Sequence, residues 1–228
     1  MKNHKNRRRL LLFLCSVLLL GFSVPGCALT KEYITVDYNP QKNIEPIRGA
    51  EKVNVKVNMN DVRSMRDKVC YKKNAYGMEL GEIISNNDVV ELVCNSINTE
   101  LTNRGFIVNG GDIAINIELI KFFNDFKTGF FAGDASAEVL MGSQVRQSNG
   151  NIIYNKTITG NYVEQNIQLA TGNNAKLALE GALKDAVSKL VNDSDFIMAL
   201  MGTKKPGIAL IPSCGQKTMN IYVILNGA

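Results

Sequence analysis

The chain has 228 residues, which is enough for one ordinary domain plus a targeting segment, or for two small domains. Because 45% of the residues are hydrophobic and 21% are charged, wholesale disorder is excluded. Five of the 26 basic residues lie in the first nine positions, and the remaining 21 balance the 21 acidic residues, so the rest of the chain is neutral and has no general electrostatic reason to bind nucleic acid. The only histidine, His4, also lies in that first segment, which excludes imidazole-based catalysis and histidine-ligated metal sites for the rest of the chain.

The N-terminus has the layout of a bacterial export signal. A basic start precedes an apolar run over residues 10–24, which is shorter than the roughly 20 residues that a membrane span needs. The run ends in Val-Pro-Gly-Cys at residues 24–27, and this sequence resembles the lipobox of bacterial lipoproteins. The alternative to a cleaved lipoprotein signal is an uncleaved signal anchor. The three arginines at residues 7–9 are also compatible with export by the twin-arginine pathway.

The lipobox resemblance implies that Cys27 receives a diacylglyceryl group and, after cleavage, acylation of its amine. Ala28 is not the aspartate that retains lipoproteins in the inner membrane. The resemblance therefore implies delivery to the outer membrane, facing the periplasm, in a cell with two membranes.

Three further cysteines remain once the signal has been removed and Cys27 carries lipid. They are Cys70, Cys94 and Cys214, which allow at most one disulfide and match no metal-binding spacing, so neither a metal nor another cofactor is expected. Cys94 falls on the apolar face of a predicted helix, where a free cysteine behaves as a small hydrophobe. One disulfide and unpaired buried thiols both remain open.

The chain after Cys27 begins with a polar segment, 27–50, which predicts a lipidated N-terminus and a flexible tether of about 25–30 Å. Within it, residues 33–38 could pair as a short edge strand. Alternation of apolar and polar residues over 53–59 predicts the first clear strand. Residues 69–84 are strand-like but are interrupted by glycines.

A helix is predicted next, because apolar residues from Val90 to Leu101 recur at helical spacing. Residues 85–88 supply its capping side chains, with Asp88 favourable near its N-terminus. Gly105 is predicted to end the helix in a left-handed conformation, with Phe106 making the hydrophobic contact that follows.

Two alternating strands follow, at residues 113–119 and 135–145, and Asn149-Gly150 is a strong hairpin signal. A two-residue turn there fixes the register and places apolar residues opposite one another. The predicted pairs are Val145 with Tyr154, Met141 with Ile158, and Ala137 with Tyr162.

A long amphipathic helix is predicted over 174–191, and a short turn over 195–201. A loop over 202–215 then precedes a final strand or poorly ordered tail at 219–225. We expect Leu101 and Leu183 to share one core between the two helices and the sheet.

These elements predict an α+β fold, with a predominantly antiparallel sheet and two main helices packed on one face. The chain is expected to divide into four parts. They are a lipoprotein signal peptide at 1–26, the lipidated N-terminus and tether at 27–50, a single α+β domain at 51–201, and a C-terminal extension at 202–228.

Several of these features together resemble the YajG-like bacterial lipoproteins. They are the lipobox Cys27, Leu-Thr-Asn-Arg-Gly-Phe at 101–106, the strand at 113–119, the Asn149-Gly150 hairpin, and the helix 182–190 that precedes Asp-Ser-Asp-Phe-Ile at 193–197. The likeness covers about residues 10–200 in layout. It implies an envelope lipoprotein with no established enzymatic activity, and it carries over no site residue except Cys27.

Five of the nine phenylalanines fall within residues 122–131. If the tip of this segment is exposed, Phe130 and Phe131 are candidates for contact with a partner, because aromatic residues dominate interface energetics. The alternative, that the strands continue and the rings fill the core, is favoured because aromatic clusters are more often core.

Two functions remain. The first is a non-enzymatic binding or scaffolding factor, held to the membrane by lipid on Cys27, for another envelope component such as a protein. The second is a carboxylate-based hydrolase of cell-wall glycan, which needs no histidine. Acidic pairs such as Asp193 and Asp195 lie at a helix end, where solvated turn residues are expected, so the binding factor is preferred.

Overall fold

The structure, a computed structural model, describes residues 29–111, 113–127 and 132–202. Within these ranges the chain forms one sheet of eight strands and three α-helices around a single core, and no helix is long and apolar enough to cross a membrane. Four predicted features lie outside the described residues: Cys27, the pair Phe130 and Phe131, Cys214, and the strand at 219–225.

The strands are β1 (Glu32–Ile34), β2 (Asn54–Asp61), β3 (Cys70–Lys73), β4 (Glu79–Ser85), β5 (Ile107–Val108), β6 (Ile113–Lys127), β7 (Gly133–Gln147) and β8 (Ile152–Ile167). The helices are α1 (Val89–Asn103), α2 (Gly172–Asn192) and α3 (Ser194–Leu200), and Ala50–Lys52 forms one short 3-10 turn.

The sheet is mixed, so the expectation of a predominantly antiparallel sheet is wrong. The central strand β6 is antiparallel to β7 but parallel to both β2 and β3, while β1 is parallel to β4 and β2 to β5. The physical reason is the long connection from β2 to β5 and β6, which contains α1. A crossover of that kind allows parallel strands to pair, whereas only hairpins force antiparallel pairing.

The structure has a third α-helix in addition to the two main helices that were expected. The seven residues of α3 follow α2 directly, where only a short turn was predicted. The carboxylate of Asp193 caps α3 by accepting hydrogen bonds from the backbone N–H groups of Asp195 and Phe196. Phe196 is fully buried, so α3 adds an aromatic ring to the core.

The predicted register between β7 and β8 is confirmed, but the two-residue turn is not. The N–H of Gln147 donates to the carbonyl of Asn151, so three residues, 148–150, form the turn, and a shift in pairing next to Val145 compensates for the extra residue. Val145 is opposite Tyr154, and the other two predicted pairs are also found. Gly150 has a φ of 85°, the left-handed conformation that this turn requires. The alternation of apolar residues was sufficient here because one face of β7 is buried along its length.

The predicted ends of α1 are also confirmed. The side chain of Asp88 caps its N-terminus, and Gly105 ends it with a φ of 94°. The N–H of Phe106 donates to the carbonyl of Leu101 at 3.0 Å, and the Phe106 ring is buried. This is the Schellman arrangement, which satisfies a carbonyl in the last turn.

Leu101 of α1 and Leu183 of α2 are both fully buried in one core, as predicted. Two of the clustered phenylalanines, Phe122 and Phe126, are also buried in it, which confirms the core interpretation for those two rings. The ring of Phe123 packs edge-on against a tyrosine of β3.

Residues 32–50 pack against the body instead of extending freely. Val36 and Ala50 are fully buried, and the hydroxyl of Tyr38 donates to Oε1 of Glu100 at 2.7 Å. Glu100 is itself buried on α1. The part of the predicted tether that remains free of the body is therefore short, while the division of the chain into domains stays a prediction.

Candidate functional site

A cavity of about 420 Å³ opens where β6 changes its partner. β2 ends at Asp61, opposite Leu119, and β3 begins at Cys70, opposite Asn124, so the two halves of β6 pair with different strands. The loop between β2 and β3 crosses this gap beside the start of α1. We call this cavity the polar pocket; it is lined by Asp61, Arg63, Arg66, Asp67, Lys68, Val69 and residues 85–90.

Arg63 is the one buried charged residue of the polar pocket, with 6% of its surface exposed. Its Nε and Nη2 each donate to a different carboxylate oxygen of Asp61, both at 2.9 Å. These hydrogen bonds lower the pKa of Asp61, so the carboxylate is ionised at neutral pH. Nη1 of Arg63 has no hydrogen-bond partner among the described residues.

The other carboxyl groups around the polar pocket are also paired. Asp88 accepts hydrogen bonds from two backbone N–H groups in the first turn of α1. Glu82 forms ion pairs with Lys68 at 2.6 Å and with Lys31 at 2.9 Å, and the hydrogen bond from Lys68 lowers the pKa of Glu82 to about 2. Asp61 and Glu82, whose pKa values are lowered, therefore lack the raised pKa that a general acid needs.

The acidic pair noted in the sequence behaves similarly. Lys156 forms ion pairs with Asp193 at 2.7 Å and with Asp195 at 3.0 Å. Burial alone would raise the pKa of Asp193, but hydrogen bonds from Lys156 and from the first turn of α3 outweigh it, and the pKa is lowered. Asp193 therefore caps α3 and Asp195 lies in its first turn, in keeping with the expected place of the pair at a helix end.

The two described cysteines are not bonded to each other. Cys70 is buried, and burial raises the pKa of its thiol to about 12, which leaves it protonated and unreactive. Burial also raises the pKa of Cys94, which is half-buried on α1. Among the residues that the structure describes, no group of three or more histidine, cysteine, aspartate or glutamate side chains could hold a metal ion.

A second surface lies at the end of the sheet where several strands turn. Because β3 runs parallel to β6, the turn between β3 and β4 lies at the C-terminal end of β6, and Lys73 pairs there with Asp125 at 2.5 Å. β8 also ends here, since Ile167 is opposite Gly133 at the start of β7. Three connections of the chain therefore meet at one end of the sheet.

We call this surface the hairpin end and define it by four exposed apolar residues: Leu29, Tyr76, Met78 and Leu169. Their exposed fractions are 68%, 89%, 59% and 72%. Tyr76 and Met78 lie in the β3–β4 turn, Leu169 follows β8, and Leu29 precedes β1. The next residue, Thr30, has its carbonyl against Gly81 of β4, which brings Leu29 to this end.

The sequence singled out neither surface in full. It predicted a contact at Phe130 and Phe131, but those two lie outside the described residues. The four apolar residues sit singly in turns and show no periodicity. The only available signal was that Tyr76 and Met78 flank Gly77, a glycine with a φ of 80°.

Comparison with known proteins agrees with the predicted family likeness. A family model described as "uncharacterized lipoprotein" matches residues 40–201. No curated protein matches the chain.

Two solved structures were compared with this chain, and one of them shows the same fold. A Xanthomonas campestris protein of the DUF330 family is 15% identical with a TM-score of 0.52, and the match covers 75% of this chain and 96% of that one. A minor lipoprotein from Acinetobacter baumannii is 10% identical with a TM-score of 0.35, covering 60% of this chain and 90% of that one. Only the first likeness has a TM-score above 0.5, and at 15% identity it shows the fold alone.

Proposed function

Because this chain belongs to the family of uncharacterized lipoproteins, we propose that it is a lipid-anchored envelope protein that binds another envelope component without catalysing a reaction. The anchor is lipid on Cys27, and in a cell with two membranes the protein lies in the outer membrane and faces the periplasm. Several acyl chains on one residue make such anchoring effectively permanent, because each buried CH₂ contributes about 0.8 kcal/mol.

Changing Cys27 to Ser tests the anchor, because it removes the thiol that accepts the lipid. The variant is expected in the soluble fraction or as an uncleaved precursor. The matched control, Cys94→Ser, also removes a thiol but should remain in the membrane fraction. A Cys27→Ser protein that is cleaved and membrane-bound like the control would contradict the anchor.

One observation carries the proposal of binding without catalysis. Hydrogen bonds from basic side chains lower the pKa of three carboxyl groups: Asp61, Glu82 and Asp193. A carboxylate-based glycan hydrolase needs one carboxyl group whose pKa is raised, so that it can protonate the leaving group. The charges of the polar pocket pair with each other, which suits a recognition surface better than a reaction centre.

The rim of the polar pocket offers a surface for such binding. The loop after β2 exposes Val62 and Met65, and the side chain of Arg66 is 62% exposed. Methionine and arginine are enriched where proteins bind one another. Phe130 and Phe131, proposed from the sequence, are a second contact that the same partner could use.

In-cell crosslinking followed by purification of the lipidated protein tests this binding. The double variant Met65→Ser/Arg66→Ala is expected to lose a crosslinked envelope protein, and Phe130→Ser/Phe131→Ser tests the second contact. Ile152→Ser/Ile153→Ser is the matched control, because both isoleucines are partly exposed at the far end of β8. Equal crosslinking by all three variants, or cleavage of cell-wall glycan by the purified protein, would contradict the proposed function.

A further inference from the structure

We propose that the hairpin end docks on the surface of the bilayer that holds the lipid anchor, an inference that rests on the proposed lipidation of Cys27. Its apolar residues would then lie in the headgroup region of the membrane.

The chain between the proposed anchor and the folded body is short, which supports docking at this end. Leu29 is two residues after Cys27, and two extended residues span at most about 7 Å. Thr30 already lies against Gly81, two residues from the start of β4 at the hairpin end. A lipid on Cys27 would therefore be attached close to the hairpin end, and it would keep that end near the bilayer surface.

The second argument is the chemistry of that end. The four residues that define it are each at least 59% exposed, and among the other large hydrophobic residues of the described chain only Tyr33, at 61%, is comparably exposed. Tyr33 lies on β1, the strand that starts beside the hairpin end. An exposed apolar patch marks a contact surface, and tyrosine is enriched at the membrane interface, where its ring is half apolar and half polar.

Charge makes little contribution to this docking. Lys73 is paired with Asp125, Lys31 is paired with Glu82, and Lys127 at the end of β6 lies opposite Asp134 of β7, so each of these lysines at the hairpin end has an acidic neighbour. Attraction to anionic lipid headgroups is screened by salt, whereas burial of apolar side chains is not. Docking should therefore be insensitive to ionic strength.

Tryptophan fluorescence provides a direct test, because the chain contains no tryptophan. The full-length lipidated protein carrying Tyr76→Trp is reconstituted in vesicles of phosphatidylethanolamine and phosphatidylglycerol that contain lipid brominated near the headgroup. The matched control is Ile152→Trp, which starts β8 at the opposite end, about 50 Å along that strand. Both positions are exposed, so neither change disturbs the core.

Tyr76→Trp is expected to be blue-shifted and at least about twofold more quenched than Ile152→Trp, with quenching unchanged by added salt. A second probe at the same end, Leu169→Trp, should behave like Tyr76→Trp. If the protein floats with the vesicles but both ends are quenched equally weakly, docking is overturned while the anchor stands. If the protein does not float, the anchor and the docking fail together.

Discussion

A single guanidinium fixes the loop that borders the polar pocket. The guanidinium of Arg63 donates two hydrogen bonds to the carboxylate of Asp61, two residues earlier in the chain, and the Arg63 side chain is only 5% exposed. Bidentate pairs of this kind restrict geometry as well as charge. The pair therefore holds the end of β2 and the following loop in one arrangement.

Replacing Asp61 with Asn leaves a buried guanidinium without its counter-charge. The free energy of unfolding at neutral pH is expected to fall by about 3 kcal/mol, measured by urea denaturation. Asp67→Asn is the matched control in the same loop, because Asp67 is 71% exposed and pairs only at the surface. Its effect should stay within about 0.5 kcal/mol, and equal effects of the two changes would contradict a structural role for the pair.

The pH dependence follows from the lowered pKa of Asp61. Its usual value is 3.8, so its contribution to stability is fully present above that pH and is lost as the pH falls through the lower folded value. The difference in unfolding free energy between wild type and Asp61→Asn should be constant from about pH 5 upward and shrink below it. A difference that persists unchanged in strong acid would be inconsistent with this assignment.

The helix α2 packs closely against the strand β8, and a glycine on each element permits the close approach. A methyl group on Gly160 of β8 would overlap the carbonyl of Ala182 and the backbone of Ala186. In the other direction, Gly181 of α2 makes room for the ring of Tyr162. The helix therefore lies closer to the strand than two ordinary side chains would permit.

Gly160→Ala is expected to destabilise the protein by about 1–3 kcal/mol, because neither backbone atom it meets can move aside easily. Gly142→Ala, on the neighbouring strand β7, is the matched control. Its new methyl group would meet its nearest neighbour, on Glu118, at an ordinary contact distance of 3.7 Å. Thermal unfolding of both variants measures the difference, and equal midpoints would show that the close approach has little energetic weight.

Leu183→Ala tests the shared core of the two helices. Truncating a fully buried leucine usually lowers the free energy of unfolding by about 2–5 kcal/mol. The control on the same helix is Leu177→Ala, because Leu177 is 41% exposed. An unchanged unfolding midpoint for Leu183→Ala would be incompatible with the packing of α2.

Local elements could be predicted from the sequence because their signals are local. Asn149-Gly150 marks the turn between β7 and β8, the alternation of apolar residues indicates which residues pair across it, and Asp88 and Gly105 mark the ends of α1. The parallel pairing of β2 with β6 could not be predicted, because about sixty residues separate the paired positions, such as Val57 and Ile115, and no turn links them.

In the whole molecule, the polar pocket is a second feature that could not be predicted from the sequence. It joins the loop after β2 to the start of α1, two segments that meet only because β6 exchanges one partner for another. The pocket begins about five residues from the hairpin end along β3, a distance of roughly 16 Å. If the hairpin end docks on the bilayer as proposed, a partner bound at the rim of the pocket would lie close to the membrane.

The proposed lipid on Cys27 would make this protein a permanent part of the cell envelope. Intact mass spectrometry of the protein extracted from membranes tests this proposal. The expected chain starts at Cys27 and carries the mass of its acyl chains, with residues 1–26 removed. A membrane-extracted protein that retains those residues, or whose Cys27 is unmodified, would contradict it.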